Sequence, residues 1–127
     1  MKNYKELNVW RQGIELVKRT YEISQILPKE EKFGLISQMT RAAVSIPANI
    51  AEGSSRESDK DYARFLQIAL GSAFELQTYF VIISEMSWSD LALVEELQKL
   101  LDQEIKMIHM FIKKLLADSR EYNKINN

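Results

Sequence analysis

The segment SQMTRAAVSIPANIAEG, residues 37–53, carries the pattern that decides the fold. Apolar residues recur through it and just before it at steps of three or four positions, which is the spacing of one face of an α-helix: Ile36, Met39, Ala43, Ile46 and Ile50. Pro47 lies inside this run, where a proline removes one backbone donor and clashes with the carbonyl four residues earlier. Since the apolar spacing stays in phase through Ile50, we predict one helix that is kinked at Pro47.

Three further segments have the same helical spacing, and none alternates as a β-strand does. Pro28 ends the first of them, and Ser58 and Ser89 are the expected N-terminal caps of the third and fourth helices. The predicted helices span residues 7–27, 32–52, 59–86 and 90–119. The predicted core face of the first helix consists of four residues: Trp10, Ile14, Val17 and Tyr21.

The connections between the predicted helices are short, which makes neighbouring helices antiparallel. We therefore predict an all-α fold, an antiparallel up-down-up-down four-helix bundle. It forms a single domain over residues 1–127.

The second and third predicted helices, folded back on each other, show which residues meet. Ser45 lies level with Gly71, and close approach of the two backbones would compensate the cost of a glycine in mid-helix. Arg41 lies level with Glu75, and we predict an ion pair between them. Glu75 thus faces a polar stripe on the second helix: Arg41, Ser45, Asn49 and Glu52. We interpret these side chains as forming hydrogen bonds to the backbone and to the third helix. The alternative is that they contact a ligand or RNA.

The third predicted helix has more apolar residues than one core face needs. Leu70, Phe74 and Val81 form a second face beside the main apolar stripe. A helix that is apolar all round is buried on all sides, so we predict that these three residues lie in an oligomer interface. The alternative is that Trp88, Phe33 or a terminal segment covers them within one subunit.

The composition excludes several kinds of site. The chain has 127 residues with no Cys and one His, so it holds no disulfide, no Cys-based zinc site and no cluster of His ligands within one copy. No Glu-x-x-His pair, H-E-x-x-H motif or glycine-rich phosphate loop is present. We therefore expect no enzymatic activity, no metal and no cofactor.

The apolar segments of the sequence favour a protein that lies outside the membrane. The start of the chain lacks the apolar stretch of a secretory signal. The most apolar window, residues 65–84, has polar interruptions and a helical period, which favours a core helix over a membrane span. We expect a cytoplasmic protein with no membrane contact.

The charges are unevenly distributed, although they add up to only −1. A net charge of this size predicts no strong affinity for nucleic acid. However, the first helix and the end of the fourth carry an excess of cations, and repetition in an oligomer would multiply a small basic patch. The candidate RNA contacts are Lys18, Arg19, Lys113 and Lys114; the alternative is an ordinary solvated helix surface.

Two blocks of the sequence resemble the 23S rRNA-intervening-sequence proteins, a family of four-helix-bundle proteins. Residues 37–53 resemble the family signature, with its proline in mid-helix, and residues 65–78 (FLQIALGSAFELQT) resemble the second family block. Several positions of the first helix also fit the N-terminal family pattern: Leu7, Val9, Trp10, Glu15, Leu16 and Tyr21.

The resemblance implies a bacterial four-helix bundle that assembles into a homo-oligomeric barrel, with five subunits as the expected number. It implies no established enzymatic activity. Related accessory proteins of diversity-generating retroelements are similar in fold, strongly basic, and bind RNA and a reverse transcriptase. This chain is near neutral, and Thr40 precedes Arg41 where many members have two basic residues. Both departures weaken the case that the resemblance makes for RNA binding.

Two functions follow as hypotheses from these patterns. The first is a non-enzymatic homo-oligomeric helical scaffold that binds a protein or RNA partner. The alternative is an RNA-binding protein that acts on rRNA or a structured transcript. A nuclease or processing factor is disfavoured, because the sequence has no acidic cluster of the kind that holds a catalytic metal.

Overall fold

The computed structural model describes residues 3–126, which form four α-helices and two short 3₁₀ turns. The helices are α1 (Asn8–Ser24), α2 (Leu35–Ser54), α3 (Asp59–Glu85) and α4 (Leu91–Asn126), and the turns are Tyr4–Glu6 and Lys29–Glu31. Each helix packs against the next along the chain, and α1 also packs against α4, which closes the bundle. No β-strand occurs between residues 3 and 126. The predicted all-α four-helix bundle is confirmed.

Three helix boundaries differ from the prediction by three or more residues. α1 ends at Ser24 instead of residue 27, because the N–H groups of residues 25–27 bond to carbonyls only three residues back. α2 begins at Leu35 instead of residue 32, because the preceding residues form a separate turn and Gly34 has a non-helical φ of −105° and ψ of −109°. α4 continues to Asn126 instead of residue 119, because no Gly or Pro follows Leu91 to stop it. α2 runs through Pro47 without interruption, and the kink at this proline stays a prediction.

Side chains cap the starts of α3 and α4. The Ser58 hydroxyl accepts a hydrogen bond from the Asp61 backbone N–H at 3.1 Å, as predicted. At α4 the predicted cap is wrong, since Asp90 Oδ1 accepts from the Ala92 N–H at 3.2 Å, whereas Ser89 donates to the Asp90 carbonyl at 3.4 Å. Both Asp and Ser favour the cap position, and the acidic residue next to the helix takes it here.

The C-terminus of α3 ends in a Schellman motif. The Trp88 N–H donates to the Ile83 carbonyl at 3.1 Å, and the Ser87 N–H donates to the Ser84 carbonyl at 3.0 Å. This pair of bonds requires a left-handed residue just past the helix, and Ser87 has a φ of 55°. The turn directs Trp88 back onto the core.

The core lies between all four helices, and its largest fully buried residues are predominantly aliphatic. By length and composition alone α3 could cross a membrane. Ten of its residues are buried in the bundle, which accounts for its apolar character. The fully buried large side chains are Leu16, Ile23, Met39, Ile46, Ile50, Leu66, Leu76, Phe80, Ile83, Leu97, Leu101 and Ile108.

The close approach of α2 and α3 takes place at Gly53, near their connecting loop. A Cβ at this position would lie 2.7 Å from Tyr62 Cδ1 and 3.0 Å from Phe65 Cβ, so only glycine fits. The predicted close approach at Gly71 is wrong, because Gly71 is exposed and a Cβ there would meet no atom within 4 Å.

Candidate interaction surfaces

The polar stripe of α2 is largely satisfied within the bundle. The Ser72 hydroxyl donates to Ser45 Oγ at 2.8 Å across the two helices. Asn49 Nδ2 donates to the Ser45 carbonyl at 2.8 Å and to its hydroxyl at 2.9 Å. Glu52 accepts from Arg56 at 2.7 Å. Ser45 and Asn49 thus bond to the α2 backbone and to α3, as the structural interpretation expects, whereas Glu52 bonds to a side chain of the loop after α2.

The predicted ion pair between Arg41 and Glu75 does not form. Arg41 is exposed and takes part in no ion pair within residues 3–126. Glu75 instead accepts from the Tyr79 hydroxyl at 2.5 Å, one turn along its own helix, and the same hydroxyl lies 2.9 Å from Gln38 Oε1 of α2. Burial, and then the Glu75 carboxylate, raise the pKa of Tyr79 to about 12. Glu75 and Tyr79 are four residues apart in one helix, and this spacing is the sequence signal for their contact.

α3 presents an apolar face to solvent. Phe74 is 46% exposed and Val81 is 48% exposed, as an interface would require. Leu70 does not belong to this face, since it is only 7% exposed and packs in the core. Phe33 is 88% exposed and covers nothing, and Trp88 packs against the core. We call the exposed residues the α3 face: Ile68, Phe74, Val81 and Ile82.

α1 has two apolar faces, and the predicted core face is the less buried one, of which Trp10 and Val17 still pack against the core. The residues that α1 buries are offset by about one position from the predicted set: Val9, Gly13, Leu16, Thr20, Ile23 and Ser24. Tyr21 is exposed, and Trp10, Ile14 and Val17 are half-buried. These three half-buried residues line a groove of about 320 Å³ between α1 and α2, which we call the α1–α2 groove: Tyr4, Trp10, Ile14, Val17, Val44, Pro47, Ala48 and Ala51.

The two predicted RNA-contact cations of α1 both lie in ion pairs. Lys18 Nζ lies 3.7 Å from Glu15 Oε2. Arg19 Nε donates to Glu15 at 3.2 Å and Nη1 donates to Glu96 at 2.7 Å. The hydrogen bonds to Glu96 and then to Glu15 raise the pKa of Arg19. The predicted RNA contacts on α1 are therefore engaged with carboxylates.

Four cations of α4 lie on one exposed face of the helix. Lys113 and Lys114 are both exposed and join no ion pair in the described part of the chain. Lys113 belongs to a set of exposed residues at steps of four and three, which share one face of the helix. No acidic residue belongs to this set. We call it the α4 basic stripe: Lys106, Met110, Lys113, Ala117, Arg120 and Lys124.

One acidic residue is buried without a partner. Glu104 is 0% exposed, and neither of its carboxyl oxygens has a hydrogen-bond partner among residues 3–126. Burial raises the pKa of Glu104 to about 8. This residue is absent from the predicted site, although the sequence contains a signal for it: Glu104 continues the core spacing of Leu97, Leu101 and Ile108. The described residues contain no cluster of three or more metal-ligating side chains.

Comparisons with known proteins match the chain over most of its length. The family model described as 23S rRNA-intervening sequence protein matches residues 5–110. A similar solved structure is a protein of unknown function from the S23 ribosomal protein family of Bacteroides thetaiotaomicron, with 25% sequence identity and a TM-score of 0.77. The match covers 83% of this chain and 98% of that chain. No curated protein matches the sequence.

Proposed function

The chain belongs to the 23S rRNA-intervening sequence protein family, and from this premise we propose that it is a non-enzymatic homo-oligomeric helical scaffold. The observation that carries the proposal is the presence of two apolar surfaces outside the core, the α3 face and the α1–α2 groove. Contiguous exposed apolar surface on a soluble protein marks an interaction site.

The positions of the two surfaces favour a head-to-tail assembly. α1 and α3 are diagonal in the bundle and make no contact with each other, so the α3 face and the α1–α2 groove lie on different sides. A surface that fits a different surface of the next copy produces a ring when the rotation closes. We propose that the α3 face of one subunit fills the α1–α2 groove of the next, with five subunits as the family resemblance implies.

Light scattering of Phe74→Glu tests the assembly. The wild type is expected to have the mass of several subunits, and the variant that of one, with an unchanged helical circular dichroism spectrum, because a carboxylate on the α3 face would be desolvated in the interface. Gln103→Glu is the matched control, since it adds the same charge at an exposed position of α4 and should leave the mass unchanged. A monomeric wild type at micromolar to millimolar concentration would refute the proposal.

RNA binding is the second candidate function, and the α4 basic stripe favours it. Its four cations extend over 19 residues, or about 27 Å of helix, and no carboxylate belongs to the stripe. In an oligomer the stripe would be repeated in every subunit, which would strengthen weak binding through avidity. Such a surface would suit rRNA or a structured transcript. An acidic protein partner could bind to the same four cations.

A salt series with structured RNA tests this second function. Each phosphate neutralised contributes roughly one to the slope of log affinity against log salt concentration. We expect Lys113→Gln together with Arg120→Gln to lower this slope by about two. Lys18→Gln with Arg19→Gln is the control, because those cations already contact carboxylates, and it should leave the slope unchanged. No binding by the wild-type oligomer at low salt would exclude the function.

A further inference from the structure

Three residues that are each unfavourable in their local setting meet at one point in the bundle. Gly13 lies in the middle of α1, Pro47 lies inside α2, and Glu104 is a buried carboxyl on α4. Glycine and proline both weaken a helix interior, and a buried polar group without a partner is rare. Where several residues at one place conflict with the usual preferences of helix interiors and buried positions, a functional or strained site is expected.

The three residues fit one another closely. A Cβ at Gly13 would lie 3.1 Å from Glu104 Oε2 and 3.3 Å from Pro47 Cβ. The missing side chain of Gly13 is therefore what makes room for the carboxyl group. Pro47 supplies no N–H to the site, and neither carboxyl oxygen receives a hydrogen bond from the part of the chain that the structure describes.

No charge from the neighbouring helices compensates a carboxylate at this point. On α1, Arg11 is exposed, and Glu15 contacts Lys18 and Arg19. On α2, Arg41 is exposed and Glu52 pairs with Arg56.

The charged groups of α3 and α4 are also directed elsewhere. On α3, Glu75 bonds to Tyr79. On α4, Asp102 accepts from Gln77 and Lys106 is exposed. Burial is the sole cause that moves the pKa of Glu104, from 4.5 to about 8, and no charged neighbour contributes.

We propose that the junction of Gly13, Pro47 and Glu104 is a proton-operated switch that holds α1 in the bundle while the carboxyl is uncharged and releases α1 when it ionises. An ionised carboxylate must reach water or a cation, because its desolvation is costly. α1 is the helix that moves, since Gly13 covers the carboxyl directly and α1 shares fewer contacts with α4 than α2 and α3 share with their neighbours.

Release of α1 would also dismantle the α1–α2 groove, because Pro47 lines both the groove and the junction. This consequence for assembly rests on the proposed function, whereas the switch itself is a property of the single subunit. A failed assembly test would leave the switch standing, and a failed switch would leave the assembly standing.

The direction of the pH effect follows from the two protonation states. The folded protein holds the Glu104 proton up to a pH of about 8, whereas the unfolded chain loses it near its ordinary pKa of 4.5. The stabilisation from this group is complete below that ordinary pKa and is lost progressively as the pH rises to the folded pKa. Within this window, the unfolding equilibrium constant should increase by up to tenfold per pH unit through Glu104 alone.

The experiment is urea denaturation of the full chain between pH 5 and pH 9, comparing the wild type with Glu104→Gln. The variant should lose the tenfold-per-unit dependence, because an amide does not ionise. Glu95→Gln is the control, since it removes an exposed carboxylate on the same helix, and it should keep the dependence. Equal pH dependence in the wild type and Glu104→Gln would overturn the proposal.

Hydrogen exchange supplies an independent readout that needs no variant. After correction for the intrinsic pH dependence of exchange, the amides of α1 should lose protection between pH 6 and pH 9 relative to those of α2 and α3. If Glu104→Gln does not fold, Glu104→Met takes its place as an uncharged side chain of similar length. Unchanged relative protection of wild-type α1 across this range would overturn the switch.

Discussion

Two glycines within helices occupy opposite environments. Gly13 is buried, and an added methyl group would approach the Glu104 carboxyl and the Pro47 ring to within van der Waals distance. Gly71 is exposed in the middle of α3, and an added methyl group would point into open space. The same residue type therefore serves packing in one helix and weakens the other helix without a compensating contact inside the subunit.

Alanine substitutions at these glycines should have opposite effects on stability. Gly71→Ala should raise the free energy of unfolding by about 1 kcal/mol, since alanine is the better helix former. Gly13→Ala should lower it by up to about 2 kcal/mol, because overpacking a core costs about 1–3 kcal/mol and the better helix propensity of alanine offsets about 1 kcal/mol of that cost. Urea denaturation at pH 7 in the Phe74→Glu background measures both without a contribution from assembly. A less stable Gly71→Ala variant in that background would show that the site is not open.

The residues that sequence patterns misplaced share one physical cause. α1 has apolar residues on two adjacent faces, and spacing alone does not say whether Leu16 or Trp10 points inward. Likewise, Glu104 occupies a core position of α4, but the charge that a glutamate ordinarily carries at neutral pH suggests a surface residue until the opposite glycine is known. In both cases the packing against a neighbouring helix determines which residue is buried. The spacing within one segment of sequence does not contain this information.

Helix pairing was more predictable than the individual contacts. The predicted alignment placed Ser45 level with Gly71, and the observed hydrogen bond goes to Ser72, the next residue. The short loop and the apolar spacing determine that register. The predicted ion pair between Arg41 and Glu75 was wrong, because the Glu75 carboxylate accepts a hydrogen bond from Tyr79 on its own helix. Pairing within one helix needs less side-chain ordering than pairing between two.

The end of α3 offers a stabilising substitution. Ser87 adopts a φ of 55° in the Schellman motif, a conformation that costs a residue with a Cβ roughly 1–2 kcal/mol. Ser87→Gly should therefore raise the free energy of unfolding by roughly 0.5–1 kcal/mol, after the entropy of the more flexible unfolded chain is subtracted.

Thermal denaturation of Ser87→Gly checks this prediction. Ser89→Gly, two residues further on in the same connection, is the control, since residue 87 is the only non-glycine position in the described chain with a positive φ. The control should not gain stability. A lower melting temperature for Ser87→Gly would contradict the strain argument.

At the scale of the whole molecule, the head-to-tail arrangement predicts how two defective variants behave when mixed. Phe74→Glu has a damaged α3 face and an intact groove, whereas Val44→Glu has a damaged groove and an intact α3 face. One intact contact remains between the two chains, so an equimolar mixture should form a heterodimer although each variant alone is monomeric. Light scattering of each variant and of the mixture decides between models, because a two-fold interface built from one surface alone would leave the variant with that surface intact dimeric by itself and would give no heterodimer.

The order of the helices around the bundle has a kinetic consequence. Three of the four helix pairs join segments adjacent in the chain, and only the pairing of α1 with α4 joins its two ends. Folds dominated by local contacts fold rapidly, since little loop entropy is lost before contacts form. The successive helical hairpins should therefore form early, and the seam between α1 and α4 should close last. Glu104 lies in that seam, so a proton taken up there would set how fast the completed bundle opens and leave the rate of its earliest folding steps unchanged.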